Sequence, residues 1–236
     1  MEFDILYGDE NILVVDKPPR LVIFPEQPNL IAGGEKTLID YLLEKFPDLK
    51  NVGRAPRYGI VHRLDKTTSG IILVAKNNTA LSFLQKQFQT EKVIKNYLAL
   101  VVGNLKNNWG KIETLIGRSK KDRRKQKVYL PHEPGTERKR RTETEYRVLR
   151  RFENYTLVEV TPKTGRKHQI RTHFAYINHP VAGDTLYGFK NQPCPENLNR
   201  QFLHASSLKI KLLGGEEREF ESKLPEDLEK IIKNLK

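Results

Sequence analysis

The stretch HRLDKTTSGIILVA (residues 62–75) packs opposite charges and a turn into nine residues and then becomes wholly apolar from Ile71 to Ala75. A continuous apolar run of that length, entered through Thr-Thr-Ser-Gly, reads as a buried strand. Asp65 therefore lies in the loop that enters a central strand. A carboxylate there is expensive to desolvate unless a cation or several donors accompany it. Either Asp65 caps the turn by accepting from the amides of Thr67, Thr68 or Ser69, or it does chemistry.

Working outward, Ile12–Asp16 and Leu21–Phe24 read as short strands joined by the proline-shaped turn Lys17-Pro18-Pro19-Arg20. Apolar residues at 38, 39, 42, 43 and 46 predict a helix over Thr37–Phe46, ended by Pro47, and residues 47–60 form a loop that delivers the chain to Asp65. The strand Gly70–Ala75 is followed by a helix capped by Asn78 or Thr79 and running to about Gln89. Strands are expected at Tyr97–Val102, at about 110–116, and at about 143–152 and 155–161 around a Glu153-Asn154 turn. His168–Ile177 fits a helix with Ile170, Phe174 and Ile177 on the core face, and with His168, Arg171 and Ala175 on another, so that Arg171 points into a cleft. Residues 178–200 read as loop, as does Gly33-Gly34. Leu208–Leu212 and Glu217–Glu221 pair around Gly214-Gly215, and Pro225 opens a terminal helix. The pattern is one mixed α+β domain over residues 1–236, with a largely antiparallel sheet core flanked by helices.

Composition narrows the partners. The chain has 236 residues, enough for a sizeable core, and 42 Lys+Arg against 29 Asp+Glu give a net charge of +13. Such an excess attracts polyanions, nucleic acid first. Residues 118–141 hold eleven Lys/Arg and three acids, so one segment, broken by Pro131, Pro134 and Gly135, carries +8 of the total. It reads as an exposed loop or hairpin insertion. The single Cys194 forms no internal disulfide, no apolar run reaches the roughly 20 residues that cross a bilayer, and MEFDILYGDEN does not read as a secretory signal. A cytoplasmic protein with no membrane association is expected, and a monomer.

Four stretches together resemble the RluA-type pseudouridine synthases. HRLDKTTSGIILVAK (62–76) resembles the family's catalytic motif, KNYLALVVG (95–103) the segment that supplies an active-site tyrosine, TGRKHQIRTHFAYINHPVAGDTLYG (164–188) the stretch whose arginine pairs with the aspartate, and LHASSLKI (203–210) with LPEDLEKII the C-terminal signature. The resemblance implies the pseudouridine synthase fold and a catalytic set of Asp65, Tyr97 and Arg171, with no cofactor and no metal. The substrate it implies is structured RNA, ribosomal or transfer. Contacts to RNA are expected from His62, Arg63, Lys95, Arg166 and His168, and from Lys120, Lys121, Arg123, Arg124 and Lys125 of the basic segment. The chain departs from the family at Pro19-Arg20, where a small pair is usual, and at Lys167, where threonine is common. No N-terminal RNA-binding module of the kind many relatives carry is expected, so recognition is expected to rest on the catalytic domain.

The chemistry suits the residue types. Isomerising uridine breaks N1–C1′, turns the ring and rejoins it through C5, and a carboxylate beside the sugar either attacks C1′ or removes the C2′ proton. Burial raises a carboxylate's pKa and an arginine lowers it, so Arg171 is expected to keep Asp65 ionised, and Arg171→Ala to impair folding and catalysis together. Tyr97 offers a ring to stack on an extruded uracil. Taken singly, Asp65 is a turn cap, Tyr97 strand packing, and Arg171 and Arg63 solvated side chains. His62, His168, His173 and His204 lack metal-ligand spacing and read as polar or RNA-contacting histidines. Two other functions compete: a non-catalytic RNA-binding or ribosome-assembly protein on the same fold, and an RNA methyltransferase using Cys194 as nucleophile.

Overall fold

A computed structural model of the chain describes residues 3–25, 35–130, 133 and 136–236. Gly33-Gly34, Pro131, Pro134 and Gly135 lie outside the described residues. The backbone groups into two compact units interleaved in sequence, one comprising residues 1–94 and 205–223 and the other residues 95–204 and 224–236.

In the first unit, strands β1 (Asp4–Gly8), β2 (Ile12–Lys17) and β3 (Ser69–Ala75) pair in sequence order, and β3 neighbours β9 (Leu203–Lys211), which also pairs with β10 (Glu217–Glu221). The β1–β2, β2–β3 and β9–β10 ladders are antiparallel. All seven residues of β3 are buried, as the apolar run predicts. Helix α1 (Leu38–Lys45) is opened by Thr37, whose N–H and hydroxyl both donate to the Asp40 carboxylate. Helix α2 (Asn78–Gln89) is capped by Asn77, whose side chain accepts from the Ala80 N–H at 2.8 Å. The expected caps lie one or two residues too late, because Asn78 is used elsewhere. Its side chain accepts from Gly53 N–H and donates to Asn51 C=O, pinning the 51–53 loop. Leu21–Phe24 is not a strand. Its Val22 and Ile23 carbonyls accept the first N–H groups of α1, which satisfies the helix start and takes those carbonyls out of any ladder. Strand β1 was not anticipated.

In the second unit the strand order is β4 (Ile94–Val102), β8 (Tyr155–Pro162), β7 (Arg140–Arg151), β5 (Trp109–Arg118), β6 (Gln126–Tyr129), every ladder antiparallel. Period-two alternation along β4 sends Ala99 and Val101 to one side and Leu100 and Val102 to the other. The first side packs on Ile170 and Phe174 of α3 (Gln169–Tyr176), and the second on Leu228 and Ile231 of α4 (Glu226–Asn234), which starts directly after Pro225. The basic segment is a hairpin, since Gln126–Tyr129 pairs with Leu115–Arg118 and β7 begins at Arg140. The fold is thus mixed α+β with a mostly antiparallel sheet. Among the described residues no helix is long and apolar enough to cross a membrane.

Candidate active site

In the first unit the segment carrying Asp65 runs back along β3. Ile60 bridges Val74, and the Leu73 N–H donates to His62 Nε2 at 2.9 Å. The His62 ring stacks on Phe88 of α2, with centroids 5.0 Å apart. An accepting Nε2 means a neutral imidazole, so His62 locks this segment to the strand from within the fold. Asp65 is half-buried, and its main-chain carbonyl accepts from Thr68 N–H to close the turn.

Two further residues hold that turn. Lys17, fully buried at the end of β2, donates from Nζ to the carbonyls of Pro18, Leu21 and Lys66, stitching the Lys17-Pro18 turn to the residue after Asp65. A buried ammonium is tolerated only with such partners. Gly70 has φ +111°, and a Cβ on it would lie 2.2 Å from the Ala205 carbonyl oxygen. Only glycine permits this approach of β3 to β9. Arg20, in the Pro19-Arg20 pair, takes a left-handed φ of +66°.

The second unit holds a dense polar cluster around α3. Arg171 is buried and bidentate to Asp184, Nε to Oδ2 at 2.7 Å and Nη2 to Oδ1 at 2.9 Å. Asp184 is itself buried and accepts from the N–H groups of Leu186 and Tyr187. Gly183, at φ +73°, approaches the Arg200 carbonyl too closely for any Cβ, which aims the Pro180–Asp184 segment. That segment is bonded to β4 through Val102 N–H to Pro180 C=O and Ala182 N–H to Leu100 C=O. The guanidinium carbon of Arg171 lies 5.0 Å from the centre of the Tyr187 ring. The expected division of α3 into a core face and an open face does not hold. Residues 169–174 are all buried, because the polar ones find partners inside.

Tyr187 joins three segments. Its hydroxyl accepts from the Gln126 N–H at 2.7 Å, at the root of the basic hairpin, and meets His168 Nδ1 at 2.9 Å. Burial raises its pKa, so the phenol stays protonated. His168 begins α3 in a left-handed conformation, φ +56°. Gln169 folds the preceding turn: Oε1 accepts from Thr164 Oγ1 and Arg166 N–H, while Nε2 donates to Glu143 C=O and Thr144 Oγ1. His173 is enclosed by three threonine hydroxyls, Thr144 on Nδ1 and Thr114 and Thr142 on Nε2, and burial lowers its pKa to about 4.

Tyr97 is partly buried against the cluster that contains Ile170 and Phe174, so it shares a face of the second unit with Arg171's helix. Lys95 donates from Nζ to Thr164 C=O at 3.4 Å, which places it against the exposed Arg166 turn. In the basic hairpin, Arg124 is bidentate to Asp122, whose carboxyl it lowers to about 2. Lys120, Lys121 and Arg123 are exposed and have no carboxylate partner among the described residues, and Lys125 is half-buried. Cys194 sits on the surface with its thiol pushed up by partial burial, the opposite of an activated nucleophile. Asp184, Tyr187, Gln169 and Lys17 were not anticipated as site residues. The signal for the first two was the GDTLYG sequence (183–188), where an acid directly follows a glycine.

Residues 11–176 match the family model described as RNA pseudouridylate synthase. An uncharacterised RNA pseudouridine synthase of Aquifex aeolicus is 46% identical over 83% of this chain, which spans 59% of that relative's length. The ribosomal large subunit pseudouridine synthase D of Yersinia pestis is 35% identical over 99% of this chain and 70% of its own. Among solved structures, human RNA Pseudouridylate Synthase Domain Containing 1 superposes with a TM-score of 0.74 at 29% identity, covering 95% of this chain and 84% of that one.

Proposed function

The chain belongs to the RNA pseudouridylate synthase family, and we propose that it isomerises specific uridines of ribosomal RNA without a cofactor, with Asp65 as the catalytic carboxylate. The observation that carries this is the fixed placement of Asp65, half-buried on a turn held by buried Lys17 and by Gly70 at the entry of β3. A turn cap needs no such bracing.

Asp65 either attacks C1′ or takes the C2′ proton. In both routes the N1–C1′ bond breaks and the uracil turns; a C5–C1′ bond then forms as Asp65 leaves C1′ or its proton returns to C2′, and the C5 proton is released while N1 takes one up. Tyr97 stacks on the extruded base. Arg171 is the cation of the catalytic set that the resemblance implies, and Asp184 takes two of its five N–H donors and fixes the orientation of the rest. Arg63, Arg166, His168 and Lys95 contact the nucleotides around the target, and Lys120, Lys121, Arg123, Arg124 and Lys125 grip flanking phosphates. The ribosomal substrate is favoured over transfer RNA by the relative named for the large ribosomal subunit. The working form is proposed to be a cytoplasmic monomer.

The test is tritium release from 5-tritiated uridine in ribosomal and in transfer RNA prepared from a strain lacking the gene, with no cofactor added. Release from ribosomal RNA alone is expected. Release from transfer RNA alone overturns the substrate assignment, and release from neither leaves the competing RNA-binding protein as the better description.

A further inference from the structure

We propose that Arg57 and Arg63, standing on the ring of Phe24, form an anion clamp that takes a phosphodiester of the bound RNA, and that Arg57 is the contributor the sequence did not reveal. The proposal rests on the RNA-modifying function above but needs only that RNA binds.

Residues 49–64 contain Lys50, Arg54, Arg57 and Arg63 and not one Asp or Glu. The guanidinium carbons of Arg57 and Arg63 lie 5.0 Å and 5.3 Å from the centre of the same ring, that of Phe24. They are therefore no further apart than those two distances laid end to end, close enough for one stretch of RNA backbone to meet both. The ring's π face holds each guanidinium in place, and an anion that meets both gains from two positive charges. Among the described residues Arg57 makes no ion pair, and its side chain is exposed, whereas Phe24 is buried.

The clamp is also built in advance. Asn78 fixes the 51–53 loop through both its amide atoms. The Arg57 and Tyr58 N–H groups both donate to Arg54 C=O, with Tyr58 in a left-handed conformation, φ +47°. Ala75 N–H then donates to Gly59 C=O at the end of β3. Arg57 thus projects from a turn tied to the same strand that Asp65 precedes, and little ordering is left for the RNA to impose. Planar guanidiniums suit a phosphodiester, which offers two oxygens to a forked donor.

The experiment measures Kd for a fluorescein-labelled RNA stem-loop bearing an unpaired uridine, between 50 and 200 mM KCl, for wild type, Arg57→Gln and Arg57→Lys. Single-turnover rates at saturating RNA and melting temperatures are taken in parallel. One lost phosphate contact lowers the log–log salt slope by about 0.7 to 0.9, so the weakening caused by Arg57→Gln is expected to be about threefold larger at 50 mM than at 200 mM. The saturated rate stays at the wild-type value, and Arg57→Lys keeps the slope while losing part of the affinity. An Arg57→Gln protein with wild-type Kd and slope overturns the proposal, as does one whose saturated rate falls with Kd unchanged. If Arg57→Gln melts early, Arg57→Lys decides: loss of the slope there contradicts a charge contact. A protein that binds RNA with an Arg57-dependent slope and isomerises nothing upholds the clamp and sinks the activity.

Discussion

Replacing Asp184 by asparagine tests how the second unit holds Arg171. The carboxylate accepts four hydrogen bonds, two from the guanidinium at 2.7 and 2.9 Å and two from the main-chain N–H groups of Leu186 and Tyr187. Asparagine keeps one acceptor oxygen but turns an NH₂ toward Arg171, so a buried guanidinium loses its counter-charge. Breaking a buried pair from one side costs about 3–5 kcal/mol, which for a chain of this length lowers the melting temperature by roughly 10 °C. Circular dichroism during heating reads this directly. A double-mutant cycle with Arg171→Met separates the pair from its surroundings, because removing both charges is expected to cost less than the two single changes added together. A melting shift under about 2 °C for Asp184→Asn, or a coupling energy near zero, would refute the view that Asp184 anchors the arginine.

Other outcomes follow from particular contacts. His173 is held neutral, with a pKa of about 4 against 6.5 in the unfolded chain, so between those values the unfolded state binds the extra proton. Its contribution is complete above pH 6.5 and is lost as the pH falls toward 4, about 3 kcal/mol in all; urea midpoints across that range for wild type and His173→Gln will show a flatter pH dependence in the variant. Tyr187→Phe leaves the half-buried Gln126 N–H without its acceptor and is expected to cost about 1 kcal/mol, read as a lower urea midpoint. Arg20→Gly relieves a left-handed φ and is expected to raise stability by up to about 1 kcal/mol, seen as a small rise in melting temperature. Cys194→Ser is expected to release tritium at the wild-type rate, and a large loss would revive the methyltransferase alternative.

Much of the fold was legible because its signals are local. The buried strand β3, the β7–β8 pair, the β9–β10 hairpin and the proline-opened α4 all follow from periodicity and turn residues within a few positions. Leu21–Phe24 misled because an apolar run does not say where its carbonyls go, and here they satisfy the start of α1. The support of the candidate site was not legible. Spacing alone places Arg171 on an open helix face, but Gln169, Arg171 and His173 are all buried because Asp184, Thr144 and their neighbours receive them. Those partners come from strands and loops distant in sequence, and no helical periodicity reports them. Lys17 shows the same limit: a lysine beside two prolines reads as an exposed turn until three carbonyls from two segments converge on it.

The most direct measurement is tritium release from 5-tritiated ribosomal RNA by Asp65→Asn, with its melting temperature and RNA affinity matched to wild type. The carboxylate's part in the chemistry predicts no release above background while binding and folding persist. Release at the wild-type rate from that variant would contradict it outright.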